Sequence, residues 1–435
     1  MDVYGCQMNV HDSEIIEGIL QDRGMKPADS PENAQAILLV SCAVREHAET
    51  RVLGRAAQLG GMYRDREGGK PVIALCGCVA QEHGDSLLQR HRDLDLVVGP
   101  DCYQELPELI EKARERSAVF RTSLTDFRSG DYTGANPVRR QYPRSFVTIM
   151  RGCDNFCSYC IVPYVRGRER SRKPQDILAE VQDLSAEGYG EITLLGQNVN
   201  SYSSEGLDFS TLLRRVSEAA GASWVRFVTS HPKDLDEKIA SVMSSRRNVC
   251  RQLHLPFQSG SSRILKRMNR GYTAEQYRGK IAMLREYMPD IVLSTDVIAG
   301  FPGETEEDFQ KTVDMLKEVE FDYAFLFKYS ERTGTAACGF QGRMPEEERL
   351  ARLNTLQELQ RKITVKRSKK LRGELKKVLV TGPAKRQGQQ ACRSEGNRMV
   401  ILEGTDYAAG DFVKVRITEA DGWTHFAEPS PSDSR

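Results

Sequence analysis

Between residues 146 and 329 six short apolar runs alternate with helix-patterned stretches, and this alternation constrains the fold more than any other feature of the chain. The runs lie at 146–150, 191–195, 225–229, 252–255, 292–297 and 323–329. The stretches between them lie at 174–187, 209–220, 235–245, 261–287 with a break near Gly271, and 305–319. Buried-type strands separated by helices pair in parallel, because a parallel partner needs a long crossover. Six such units with right-handed crossovers curl into three quarters of a (βα)8 barrel. Ligand chemistry then belongs at the carboxyl ends of the strands.

The loop after the first strand reads Cys153-Asp154-Asn155-Phe156-Cys157-Ser158-Tyr159-Cys160. Three thiolates in so short a loop point to an iron–sulfur cluster. A [4Fe-4S] cube is usually held by four cysteines, so three leave one iron open, as in metal sites that bind a substrate. A zinc loop would need four ligands, usually as two Cys-x2-4-Cys pairs, and no partner pair follows. Behind the other strands come Gly196-Gln197-Asn198-Val199-Asn200-Ser201-Tyr202, Ser230-His231-Pro232, Pro256-Phe257-Gln258-Ser259-Gly260 and Gly300-Phe301-Pro302-Gly303-Glu304-Thr305. Such loops are polar and Gly-rich in any barrel, so their weight comes from joint placement. His231 and His254 invite a catalytic role, yet a His beside proline at a strand end is more often a hydrogen-bonded structural residue. No residue is assigned as catalytic.

Upstream, strand-like runs at 36–40, 72–75 and 94–98 alternate with helices at 14–23, capped by Asp12-Ser13, and at 46–63. This predicts a parallel sheet with helices on both faces. Cys6, Cys42 and Cys78 each fall just past a strand end, at a spacing of 36 residues. They favour a second three-cysteine cluster with an open iron over three small buried hydrophobes. Cys76 competes with Cys78 as the third ligand; Cys78 is preferred because it follows a small residue, as Cys6 follows Gly5 and Cys42 follows Ser41. Cys102, Cys250, Cys338 and Cys392 show no ligand spacing.

A chain of 435 residues needs two or three domains. No run approaches the roughly 18 apolar residues of a membrane span, and the start lacks the basic and apolar regions of a signal peptide. Eleven cysteines in a reducing cytosol are ligands before they are disulfides, so the protein is expected to be cytoplasmic, with no membrane partner. A net charge of +1 excludes a globally basic nucleic-acid binder. Local charge is different. After an irregular 121–140 linker and the barrel, an amphipathic helix at 345–371 carries or precedes Arg361, Lys362, Lys366, Arg367, Lys369, Lys370, Arg372, Lys376 and Lys377 against Glu374 alone. Such a run is either a solvated face or a surface that meets phosphates. Strand runs at 375–380, 390–393, 399–402, 412–417 and 424–427 suggest a small five-stranded barrel of the type used for oligonucleotides, and 429–435 a disordered tail.

Gly5-Cys6-Gln7-Met8-Asn9, Gly77-Cys78-Val79-Ala80-Gln81, Arg151-Gly152-Cys153, the run from Val162-Pro163-Tyr164-Val165-Arg166-Gly167 through Arg168-Glu169-Arg170-Ser171-Arg172, and His254-Leu255-Pro256-Phe257-Gln258-Ser259-Gly260-Ser261 resemble the radical S-adenosylmethionine (SAM) methylthiotransferases over the whole chain. The resemblance supports Cys78 as the third ligand and implies three domains: 1–122 with the auxiliary cluster, 138–370 as the radical SAM partial barrel, and 371–431 as a TRAM-like RNA-binding barrel. It implies two [4Fe-4S] clusters, at Cys153, Cys157 and Cys160 and at Cys6, Cys42 and Cys78. SAM contacts are expected at Tyr159, Gly196, Gln197, Ser230, Gln258 and Ile298. Asp296 stands where the superfamily's adenine-binding strand commonly has glycine.

In such enzymes SAM chelates the open iron and one electron splits it into methionine and a 5′-deoxyadenosyl radical, which abstracts the hydrogen atom of an unactivated C–H bond so that a methylthio group can take its place. The auxiliary cluster supplies sulfur and a second SAM the methyl group. Gln7-Met8-Asn9 and His254-Leu255-Pro256 are most similar to the MiaB branch, which acts on N6-isopentenyladenosine at position 37 in the tRNA anticodon stem-loop. Sister branches act on threonylcarbamoyladenosine or a ribosomal-protein aspartate; a radical SAM enzyme with an electron-relay second cluster is the other alternative. Pro163, Tyr164, Val165, Pro256 and Phe257 are the expected apolar walls for isopentenyl. A flavodoxin- or ferredoxin-type reductant and a monomer complete the expectation. The chain starts almost at its first strand, which leaves room for a few missing N-terminal residues.

Overall fold

A computed structural model describes residues 1–44, 46–64, 69–115, 119–122, 136–404 and 406–430. Most of the expected 121–140 linker and 429–435 tail lies outside the described residues. The chain forms two compact units: Met1–Arg140 with Met150–Phe156 and Cys160–Ser171, and Gln141–Ile149 with Cys157–Tyr159 and Arg172–Arg435. Among the described residues no helix is long and apolar enough to cross a membrane.

The first unit is a parallel sheet in the order β1 (Asp2–Tyr4), β2 (Ala36–Ser41), β3 (Val72–Gly77), β4 (Leu96–Val98), β5 (Val119–Arg121). The two-residue period of a strand sorts its apolar side chains. Ile37, Leu39, Ile73 and Leu75 pack with Val52, Ala56 and Leu59 of α2 (Glu46–Tyr63) on one face. Leu38, Val40, Ala74 and Cys76 pack with Ile15, Ile16 and Ile19 of α1 (Gln7–Asp22) on the other. Helices on both faces are as expected, but α1 begins seven residues before the predicted start. Cys6, not Asp12-Ser13, holds the extended N-cap position, and Asp12 lies fully buried inside the helix. The short fifth strand was not foreseen: three residues at the edge of an apparent linker leave too little pattern.

The second unit contains six parallel strands: β6 (Arg144–Thr148), β7 (Glu191–Leu195), β8 (Trp224–Phe227), β9 (Gln252–His254), β10 (Val292–Ala299) and β11 (Tyr323–Lys328). They form two three-stranded sheets, and an isolated parallel bridge joins Val225 of β8 to Val249, just before β9. Helix starts follow local capping chemistry. Asp208 caps the helix Phe209–Ala219 through the Thr211 N–H at 2.8 Å, and Thr305 with Asp308 forms a capping box. The break near Gly271 divides Ser262–Arg267 from Ala274–Tyr287, which Thr273 and Gln276 restart with a second box.

The helix Glu346–Lys369 buries Leu356, Gln360, Ile363, Thr364 and Ser368. Three of these five, Gln360, Thr364 and Ser368, are polar. Gln360 and Thr364 donate to the carbonyls of Phe321 and Asp322, and Ser368 to that of Gly422. Beyond it, five strands close a barrel over Val378, Val380, Val400, Leu402, Val413 and Val415. The barrel packs on the (βα)6 array through Trp224 against Phe412, ring centroids 4.9 Å apart. Two buried arginines reinforce the packing: Arg226 bonds Glu191 and the Glu395 carbonyl, and Arg398 bonds Asp322.

Candidate metal centres

In the first unit the ends of β1, β2 and β3 deliver Cys6, Cys42 and Cys78 to one place. Cys6 precedes α1, where its sulfur lies 3.4 Å from Asn9 Oδ1, and Asn9 Nδ2 in turn donates to the Ser41 carbonyl at 3.0 Å. Cys42 donates its N–H to the Tyr4 carbonyl at 3.0 Å. Gly77 carries φ +101°, and a Cβ there would sit 2.6 Å from the Ser41 oxygen, so the β2 and β3 ends close only over a glycine. The neighbouring Cys42 thiol holds Cys6 below the usual thiol range, and Cys6 together with burial pushes Cys42 above it. A cysteine favoured as its thiolate suits metal ligation.

Cys78 opens the short helix Cys78–His83. Burial pushes its thiol up, opposed chiefly by the Arg166 guanidinium, whose Nε lies 3.1 Å from the sulfur. Arg166 Nη2 donates to Asp12 Oδ2 at 2.6 Å, and Arg151 Nη2 lies 3.2 Å from Asp12 Oδ1. All three side chains are at most 5% exposed. Cys76, the competing ligand, is part of β3 and points into the α1-side core; burial alone raises its thiol to about 12. Cys102 shares that core, Cys250 packs with Trp224 and Leu379, Cys392 sits inside the C-terminal barrel, and Cys338 donates to the Arg332 carbonyl.

The Cys153 loop is built from its own neighbourhood. Gly152 has φ +77°, and a Cβ would fall 2.0 Å from the Arg168 oxygen; Cys153 N–H donates to the Gly167 carbonyl at 3.1 Å. Asp154 and Glu169 exchange backbone-to-carboxylate bonds at 3.2 and 3.1 Å. In the second unit Arg270 donates to Cys157 Sγ and Tyr159 Oη, both at 3.3 Å, to Tyr272 Oη at 3.1 Å and to the Pro256 carbonyl at 3.1 Å. Among the described residues no carboxylate pairs with it.

At the carboxyl ends of the second unit's strands, several buried polar atoms lack a partner among the described residues: Ser230 Oγ, Gln258 Oε1 and His231 Nε2. Unsatisfied buried groups are costly, and these suit a polar ligand such as SAM. Gln258 is held at φ +65°, with its N–H on the Asp296 carbonyl and its carbonyl accepting from Ile298 N–H. Ile298 N–H is thereby consumed by the protein. Gly196 is buried directly after β7, Gln197 is partly exposed beside it, and Tyr159 packs edge-on against Phe301. His231 Nδ1 accepts from Lys233 N–H at 3.1 Å, and burial drives its pKa far down, so it is a neutral structural histidine. His254 lies between Ser294 Oγ at 3.0 Å and Asp296 Oδ1 at 3.3 Å. The acid at 296 thus has a local partner.

The expected apolar walls fare differently. Phe257 and Val165 are at most 1% exposed core residues, Pro163 and Pro256 are buried, and Tyr164 alone is open. Instead, strand register places Gln252, His254, Ser294, Asp296, Ile298, Tyr323, Phe325 and Phe327 on one face of β9–β11, with Phe325 and Phe327 41% and 38% exposed. Sequence reasoning missed these two phenylalanines because β11 reads as a uniformly buried strand. It also missed Arg166, Asp12 and Arg270, whose partners lie 88 to 154 residues away in sequence. The one signal for Arg166 was its place in the motif from Val162 to Arg172.

Three family models match the chain: the Radical SAM superfamily over 147–316, the uncharacterized protein family UPF0004 over 1–99 and the TRAM domain over 369–429. Proteins named tRNA-2-methylthio-N(6)-dimethylallyladenosine synthase are similar throughout. That of Bacteroides thetaiotaomicron is 43% identical, covering 98% of this chain and 94% of its own. That of Carboxydothermus hydrogenoformans is 44% identical, covering 96% and 95%. Among solved structures, the radical SAM methyltransferase TsrM from Kitasatospora setae aligns with TM-score 0.57 at 15% identity, over 90% of this chain and 77% of that one. The cobalamin-dependent radical SAM enzyme OxsB aligns with TM-score 0.53 at 12%, over 82% and 55%. These two show the fold.

Proposed function

The chain belongs to the family of tRNA-2-methylthio-N(6)-dimethylallyladenosine synthases, radical SAM methylthiotransferases, and from that premise we propose that it methylthiolates C2 of N6-isopentenyladenosine (the dimethylallyl nucleoside) at position 37 of tRNA. The observation that carries the reading is 43% identity sustained over 98% of the chain, across both cysteine sets and the C-terminal barrel.

Cys153, Cys157 and Cys160 would hold one [4Fe-4S] cluster, and Cys6, Cys42 and Cys78 the other. When bound, the first supplies the electron that opens SAM to a 5′-deoxyadenosyl radical and the second supplies the sulfur, a second SAM providing the methyl group. The protein's work is placement. Ser230 Oγ and Gln258 Oε1, which lack a partner among the described residues, would bond SAM, and Tyr159, Gly196, Gln197 and Ile298 would complete its contacts. A radical acts only within a few ångströms of its origin, so the target base must leave the anticodon-loop stack; in a single-stranded loop this costs a few kcal/mol. Phe325 and Phe327 offer a stacking surface for base or isopentenyl, typically about 1–3 kcal/mol per stacked base.

The same face favours isopentenyl over threonylcarbamoyl. It carries Asp296 and no Lys or Arg of β9–β11, and Arg226, which reaches Gln252 from β8, is already paired with Glu191, whereas a buried threonylcarbamoyl carboxylate would need a free cation. RNA affinity falls to the C-terminal barrel and to exposed Arg361, Lys370 and Arg372. The protein works as a monomer in the cytoplasm with a flavodoxin- or ferredoxin-type electron donor. The test is competition among anticodon stem-loops bearing isopentenyl-, threonylcarbamoyl- or unmodified adenosine at position 37. The first is methylthiolated; preference for the second overturns the assignment.

A further inference from the structure

Within the first unit, Met150–Phe156 and Cys160–Ser171 contribute three arginines, Arg151, Arg166 and Arg170. Arg151 and Arg166 converge on the buried Asp12, and Arg170 clamps Asp101 at 3.0 and 3.2 Å while donating to the Arg166 carbonyl at 3.0 Å. Arg166 is thus held at both its backbone and its guanidinium. Its Nε is committed to the Cys78 sulfur and its Nη2 to Asp12. Nη1 is buried with no acceptor among the described residues. A protein core rarely leaves a charged donor unpaired, which points to an acceptor that the polypeptide does not provide.

Charge supports this. Arg166 and Arg151 approach the Asp12 carboxylate at 2.6 and 3.2 Å, and Arg166 carries its positive charge to the Cys78 sulfur. A [4Fe-4S] cube on three thiolates is anionic, and gains a further negative charge on reduction. Reduction potentials of such clusters follow net charge and hydrogen bonds to sulfur, and groups behind the ligands tune the metal.

We propose that Arg166 is a positioning residue of the N-terminal iron–sulfur site: it bonds the Cys78 ligand sulfur and, balanced by Asp12, sets the charge against which the site is reduced. This rests on the reading of Cys6, Cys42 and Cys78 as cluster ligands.

The test isolates that site in full-length protein with Cys153, Cys157 and Cys160 replaced by Ala, reconstituted anaerobically. About four irons per chain establish the underlying reading, and their absence refutes it separately from the role of Arg166. In that background, the midpoint potential is followed by paramagnetic resonance for Arg166→Gln and Asp12→Asn. Arg166→Gln lowers the potential by at least about 59 mV, a tenfold change in a one-electron equilibrium, and Asp12→Asn raises it. A scaffold role predicts no such opposition of sign. An unchanged potential in an iron-replete variant overturns the proposal, as does a shift of both in one direction. Should one variant lose iron, the other decides; loss in both makes the triad a scaffold and overturns the proposal.

Discussion

Two cysteine triads in one chain are built in opposite ways. Cys153, Cys157 and Cys160 lie within eight residues, so covalent connectivity alone keeps them close, and the loop is held by bonds such as Asp154 to Glu169 over 15 residues. Cys6, Cys42 and Cys78 share no local sequence; three strand ends must align first, over Gly77 and through Asn9. Their cations differ as well. Arg270, bonded to Cys157, faces hydroxyls and a carbonyl, whereas Arg166, bonded to Cys78, is tied to a carboxylate. A local loop needs the fold only for its setting, and an assembled site needs it for its existence.

The comparison breaks most visibly when each triad is removed. Replacing Cys153, Cys157 and Cys160 by Ala halves the iron from about eight per chain and abolishes release of 5′-deoxyadenosine. Replacing Cys6, Cys42 and Cys78 also halves the iron, leaves SAM cleavage and stops methylthio product. Iron unchanged in the second variant would end the two-site reading.

Next in size is Arg270→Gln. It removes the cation beside Cys157 and leaves the hydroxyls and carbonyl around it short of donors, each costing about 1–3 kcal/mol. SAM cleavage falls at least tenfold while iron at the other triad stays. Equal loss from both triads would show that the two sites are not independent.

Gly77→Ala tests the dependence on strand alignment. Backbone strain of about 1–3 kcal/mol accompanies the clash with Ser41, and calorimetry should show lower stability with iron lost from the assembled site. Cys76→Ala, one residue away but on the other face of β3, keeps the full iron complement; iron loss there would make Cys76 the ligand.

The smallest effect separates RNA binding from both sites. Neutralising Arg361, Lys370 and Arg372 lowers the slope of log affinity against log salt by roughly 0.7 to 0.9 for each phosphate that is no longer neutralised, with iron and SAM cleavage unchanged. Lys366 and Arg367 are weaker probes than the sequence suggested, because they pair with Glu320 and Asp322. Removing the C-terminal barrel is a poor probe too, since it would uncover Trp224 and strip Asp322 of Arg398. An unchanged slope would return the exposed cations to a solvated face.

Much of this architecture is written locally. Strand and helix alternation, the caps at Asp208, Thr273 and Thr305, the Cys153 loop and the five C-terminal strands depend on periods and signals a few residues long, and such short-range chemistry survives in any context. The choice between Cys76 and Cys78 was not written that way. Two residues apart, the cysteines differ only in which face of β3 they reach and whether the strand has ended, and the pairing of β3 with β2 up to Gly77 decides both. The start of α1 escaped for a related reason. Asp12 has the composition of a cap, yet Arg166, 154 residues away, makes it a buried counter-ion. Likewise Phe325 and Phe327 read as core until register turned them to an open face. Charge pairing and exposure are properties of what lies across space, and no window along the chain contains them.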